Sequence, residues 1–165
     1  TENIAKFLCK NSKFLIINAQ SNAANTGFSS IKKYRNFDAL IINERELREE
    51  LRNKDEKIEH LMKQISKKYL IKNLIATRGS EGSILYDFKK NRFYYCVAFA
   101  NNIIDKIGSG DVMMSVIAGF LKLKSDPGLA LFISSIAAGK SVESLANSHP
   151  VNKLGLKKSL SHILN

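Results

Sequence analysis

Asp38-Ala39-Leu40-Ile41-Ile42-Asn43 is an unbroken apolar run shut off by polar residues, the pattern of a β-strand buried on both faces. Lys13 to Asn18 upstream and Asn73 to Thr77 downstream carry the same pattern. From Lys54 to Tyr69, between the second and third runs, Ile58, Leu61, Met62, Ile65 and Tyr69 recur at helical spacing. A strand, a helix and a strand in that order predict a crossover between parallel strands, with helices covering the sheet. The expected class is therefore α/β. Further on, Ser83 to Asp87 and Arg92 to Val97 flank Phe88-Lys89-Lys90-Asn91 and read as a hairpin, an antiparallel edge on the parallel sheet. Three helical segments follow. Asp111 to Leu123 has Val112, Met113, Val116, Ile117, Phe120 and Leu121 on one side; Pro127 to Val142 is apolar nearly all round; Asn152 to Leu164 is amphipathic. No repeat, no linker and no convincing domain boundary is read along the sequence.

Composition narrows the function classes. Of 165 residues, 44% are hydrophobic and 25% charged, enough to build a core and too apolar for disorder. Cys9 and Cys96 have no paired metal spacing and no partner cluster, so a reducing, cytoplasmic setting is expected. No apolar run reaches the roughly 18 residues that cross a bilayer, and Thr1 to Lys6 does not read as a secretory signal, so no membrane partner is expected. The absence of an initiator Met leaves open a processed product or part of something longer. A net charge of +11 favours polyanions and nucleotides. The basic pairs Lys32-Lys33, Lys67-Lys68, Lys89-Lys90 and Lys157-Lys158 are scattered and lack interleaved aromatics, which disfavours a dedicated nucleic-acid surface.

Four constellations could carry chemistry. Asp105-Lys106-Ile107-Gly108-Ser109-Gly110-Asp111 is a glycine turn running into a helix. Glycine angles and the first amides of a helix make such a place attractive to phosphate, and Asp111 beside it suits a base; an ordinary helix N-cap is the competing reading. Thr77-Arg78-Gly79-Ser80-Glu81-Gly82 lies at the end of a parallel strand, where ligands of open α/β sheets collect. It reads either as a phosphate seat, with Arg78 available to oxyanions, or as a turn into the hairpin. Asn43 and Glu46, three apart at the start of a helix, suit either the water shell of magnesium or a capping box. Asn18 to Asn25 gathers amide side chains that fit sugar or phosphate, or simply satisfy a loop backbone. His60, His149 and His162 have neither metal spacing nor a nucleophile partner, and Ala137-Ala138-Gly139-Lys140 lacks the upstream glycine of a phosphate loop. Its small residues suggest close packing of something flat.

The order of these motifs resembles the C-terminal half of the ribokinase-like, or PfkB, carbohydrate kinases. That resemblance implies a three-layer α/β/α sandwich, mostly parallel with an antiparallel edge hairpin. It implies ATP-dependent phosphorylation of a sugar or sugar-phosphate hydroxyl. In the family an Asn-x-x-Glu motif, here Asn43 and Glu46, acts near magnesium; a Thr-x-Gly-x-x-Gly motif, here Thr77, Gly79 and Gly82, meets the nucleotide. The family signature Asp-x-x-Gly-Ala-Gly-Asp is similar to Asp105 to Asp111, implying an anion hole from Gly108, Ser109 and Gly110 and a catalytic base at Asp111. Ala138 and Gly139 correspond to the segment bordering the adenine. Ser109 stands where Ala is usual, and Val112-Met113 where Ala-Phe is common; the first change is small, and the second bears on packing. Asn18 to Asn25 with Ile104 to Gly108 looks closest to the heptose-phosphate kinase-like branch. On this reading residues 1–165 are the nucleotide-binding part, and the half with the sugar site and lid is missing, so the piece alone is expected to be a poor catalyst. A homodimer through the missing lid region stays open. The alternative is a non-catalytic nucleotide-binding or regulatory module with a kinase-like fold.

Overall fold

In the computed structural model the described residues are 2–18, 31–34, 37–100, 102–105, 107–143 and 150–164. They form helix α1 (Glu2–Asn11), strands β1 (Ile16–Asn18) and β2 (Ala39–Asn43), helices α2 (Glu44–Leu51) and α3 (Ile58–Tyr69) and strands β3 (Asn73–Thr77), β4 (Ser83–Asp87) and β5 (Arg92–Cys96). Helices α4 (Ser109–Lys122), α5 (Pro127–Ser141) and α6 (Lys153–Leu164) complete the order. The strands make one open mixed sheet in the order β1-β2-β3-β4-β5. As expected, β1, β2 and β3 are parallel, with Ile17 beside Leu40 and Leu40 beside Leu74, and the hairpin strands supply the antiparallel part. The fold is ribokinase-like α/β.

The chain divides into two units, Thr1–Arg78 with Ile84–Tyr94, and Gly79–Ser83 with Tyr95–Asn165. In the first, Leu40 and Ile42 of β2, Leu74 and Ala76 of β3 and Ile84 and Tyr86 of β4 join Leu47 of α2 and Leu61, Met62 and Ile65 of α3 in one buried cluster. The alternate residues Ala39, Ile41, Ile75 and Leu85 point to the other face and are buried too, which is why the runs do not alternate with polar residues. Each fully buried aliphatic side chain contributes about 1.5–3 kcal/mol relative to exposure. Asp38 secures the sheet's entry edge: its carboxylate accepts the Leu15 amide at 2.9 Å and the Lys72 ammonium at 2.6 Å.

In the second unit α4 and α5 pack together, and α5 also meets α6. The all-round apolar pattern of α5 is explained by burial of Ala130, Leu131, Ser134, Ile136, Ala137 and Gly139. A proline follows its cap, Asp126, whose side chain accepts the Leu129 amide at 2.9 Å. Among the described residues no helix is long and apolar enough to cross a membrane.

Candidate active site

The first unit brings two of the predicted motifs side by side. Asn43 ends β2 and Thr77 ends β3, and the two are register partners at the carboxyl edge of the parallel strands. A strand running straight into a helix puts Asn43 at the cap of α2. Its side chain accepts the Glu46 amide at 2.8 Å, and Glu46 Oε2 accepts the Asn43 amide at 3.1 Å, a complete capping box. The capping reading is thus realised. Each of these oxygens has a second lone pair, so the box and a part in holding a hydrated cation are compatible. Among the described residues no three His, Cys, Asp or Glu side chains gather to hold a metal.

Glu44, which sequence reasoning passed over, ties this helix start to the turn after β3. Its Oε1 accepts Arg48 Nη2 at 2.6 Å, and its Oε2 accepts Arg78 Nε at 2.8 Å. Burial pushes the Glu44 carboxyl up, but the hydrogen bonds and charges of Arg78 and Arg48 outweigh it and hold the group below its ordinary range. The Nε of Arg78, expected to be available to oxyanions, is therefore engaged with a carboxylate. Glu44 and Arg48 stand four apart on a helix, a signal the sequence does carry; the Arg78 partner, 34 residues away, has no sequence signature.

In the second unit the two glycines after Thr77 do different things. Gly79 has φ 58° with open space where a Cβ would stand. Gly82 has φ 84°, and a Cβ there would lie 2.0 Å from the Cys96 carbonyl oxygen, so its smallness lets the turn pass against the end of β5. Nearby, Ser83 and Ser135 share a buried hydroxyl bond of 2.8 Å. Burial raises the Cys96 thiol pKa, partly countered by a hydrogen bond with Ser135.

The glycine turn delivers the remaining residues. Gly108, at φ 83°, is the N-cap of α4, a conformation that costs other residues roughly 1–2 kcal/mol. Ser109, Gly110 and Asp111 form the first turn, and the first intrahelical bond runs from the Val112 amide to the Gly108 carbonyl at 3.0 Å. Asp111 is thus the third helical residue and not the cap, because Gly108 has taken that place. No side-chain hydrogen bond caps the helix, and its first residues lie at the positive end of its dipole, with Asp111 exposed. Asp105 Oδ1 accepts the Ile107 amide at 2.9 Å and shapes the approach. Of the α5 residues, Gly139 is buried against the chain's own backbone at Phe99 and Ala100, Ala138 is half-buried, and Lys140 is paired with Glu143 at 2.9 Å. His60 pairs with Glu56. The amide stretch after Asn18, together with Lys106 and His149, lies outside the described residues.

An open mixed sheet with helices defines an α/β protein of ribokinase-like fold. The family model described as pfkB family carbohydrate kinase matches residues 2–152, and the chain belongs to that family. Among solved structures, ribokinase from Thermotoga maritima superposes with a TM-score of 0.74 at 22% identity, covering 94% of this chain and 52% of that one. Arabidopsis thaliana ribokinase complexed with ribose and ATP gives a TM-score of 0.77 at 21% identity, covering 96% of this chain and 51% of that one. Phosphofructokinase-2 from Escherichia coli, in complex with substrates and products, gives 0.79 at 12% identity, covering 99% and 53%. The chain spans about half the length of these structures, and at such identities the likeness concerns the fold. No curated protein sequence matches the chain.

Proposed function

We propose that the chain is the nucleotide- and phosphate-handling part of a kinase that transfers the terminal phosphoryl of ATP to a hydroxyl of a sugar or sugar phosphate. The observation that carries this is the mouth of α4, where a left-handed Gly108 leaves the helix start without a side-chain cap and Asp111 stands one turn inside. An acceptor oxygen attacks the terminal phosphorus, its proton passes to the Asp111 carboxylate, and the bond to the bridging oxygen breaks to release ADP. The amides of Ser109, Gly110 and Asp111 stabilise the charge on the transferred group; preorganised donors of this kind are typically worth about 3–4 kcal/mol each. Thr77 and Gly79 approach the nucleotide phosphates, with Gly82 shaping that turn, and Ala138 and Gly139 lie on the helix assigned to the adenine side. Magnesium, when bound, screens the phosphate charges, and Asn43 and Glu46 fit it through its water shell, since one amide and one carboxylate oxygen suit a cation that keeps its waters. The missing half would supply the acceptor site and lid.

The reading is supported by family membership and by the Arabidopsis neighbour's complex with ribose and ATP. The half-length match favours a second reading, a nucleotide-binding module without transfer activity. Calorimetry with ATP and magnesium, paired with a phosphoryl-transfer assay on a sugar panel, separates the two in the complete protein. Transfer to a sugar hydroxyl is the expected result; tight binding with no transfer to any sugar selects the module.

A further inference from the structure

Glycine is a poor residue for the interior of a helix, so Gly139, inside the fifteen residues of α5, calls for a cause. A Cβ at Gly139 would lie 3.1 Å from Ala100 N and from Phe99 C, and 3.2 Å from Phe99 Cβ. Its open face is therefore filled by the backbone that leads to the glycine turn. Two further contacts hold the same segment to the same helix. The Phe99 ring meets Phe132 edge-on, with centroids 5.5 Å apart, and Phe132 lies seven residues before Gly139, hence on the same side of α5. At the helix end, the Val142 carbonyl accepts the amides of Ile104 at 2.8 Å and Asp105 at 3.2 Å. Asp105 then bonds the Ile107 amide, one residue before Gly108.

The geometry points to the side of α5 carrying Phe132, Gly139 and Val142 as the device that positions the glycine turn, and with it Asp111. What the turn binds rests on the kinase reading; the mechanical coupling does not. Gly139 is then a positioning residue, acting on phosphate through Phe99, Ala100, Ile104 and Asp105. Helix Ala138 to Val142 fixes where the amide donors stand, and a displacement of about 1 Å at a reacting centre can cost on the order of a hundredfold in rate. Gly139→Ala forces the segment to give by a few tenths of an ångström, because the atoms it meets are mainly backbone.

The test uses the chain labelled with 15N at its nine glycines. In Gly139→Ala, and independently in Phe132→Leu, the amide peaks of Gly108 and Gly110 should move while that of Gly155 stays. Affinity for a non-hydrolysable ATP analogue with magnesium should fall at least about fivefold. Unmoved Gly108 and Gly110 peaks in Gly139→Ala, together with the higher melting temperature that alanine ordinarily gives a helix, would overturn the coupling. If Gly139→Ala does not fold, Phe132→Leu decides on the same two peaks. Failure of the kinase reading looks different: the unsubstituted chain's Gly108 and Gly110 peaks ignore the analogue, while the substitutions still move them.

Discussion

Helix α2 begins with Asn43 and Glu46 bonded to each other's backbone, whereas α4 begins at a left-handed glycine with no side-chain cap. Both starts follow a motif singled out in the sequence, and both present the positive end of a helix dipole. One spends its polar side chains on closing its own end. The other has no side-chain cap and carries a carboxylate at its third residue. A helix start thus closes its own end, or goes without such a closure, according to whether its cap residue carries an oxygen. The same division separates Gly79 from Gly82: open space faces the first, and a carbonyl oxygen crowds the second.

The contrast can be broken most severely at Gly82. Gly82→Ala sets a methyl against the Cys96 carbonyl in a backbone conformation that alanine rarely adopts, and should cost at least about 3 kcal/mol in denaturant unfolding. Gly79→Ala, strained in φ alone, should cost clearly less. Next comes the start of α4. In the complete protein Asp111→Asn should lower turnover by at least about a hundredfold and leave nucleotide affinity within a few-fold, as expected for a group used only in the transition state. Equal turnover would remove Asp111 from the chemistry.

The start of α2 predicts smaller effects. Asn43→Ala should cost about 1 kcal/mol of stability, the usual worth of an N-cap. Glu46→Gln keeps the capping box, which accepts either residue, so stability should hold while the magnesium concentration needed for ATP binding rises. If magnesium dependence does not change, Glu46 is a cap and nothing more. The smallest effect concerns Glu44. Its folded pKa is depressed below the ordinary 4.5, so its stabilising contribution is present above that value and lost as pH falls through the lower folded value. Glu44→Gln should flatten that part of the acid unfolding curve; an unchanged curve would mean that the two arginines contribute little there.

How much of this was legible follows from the range of the interactions. β3 and β4 have the bounds their apolar runs suggest, and the hairpin and the crossover helix stand where periodicity put them. β1 is shorter than its apolar run, because pairing with β2 begins only at Ile16. α1 carries a weak signature, because Ile4, Phe7 and Leu8 make a helical stripe whose three members are all exposed. α2 is short and charged, with Leu47 its only buried residue, so hydrophobic period says little there and the i,i+4 pairs Glu44–Arg48 and Arg45–Glu49 are the better signal. The glycine turn was legible as a motif, but not that Gly108 would take the cap and set Asp111 at the third helical position. Contacts such as Gly82 on Cys96, Gly139 on Phe99 and Arg78 on Glu44 join residues far apart in sequence, and no local pattern announces them.

The most direct measurement is a titration of the glycine-labelled chain with a non-hydrolysable ATP analogue and magnesium, followed at the amides of Gly108 and Gly110. Saturable movement of those two peaks, with the Gly155 peak unmoved, is the predicted result. Heat of binding with the Gly108 and Gly110 peaks at rest, or no binding at all, would contradict the assignment of the α4 mouth as the phosphate receptor.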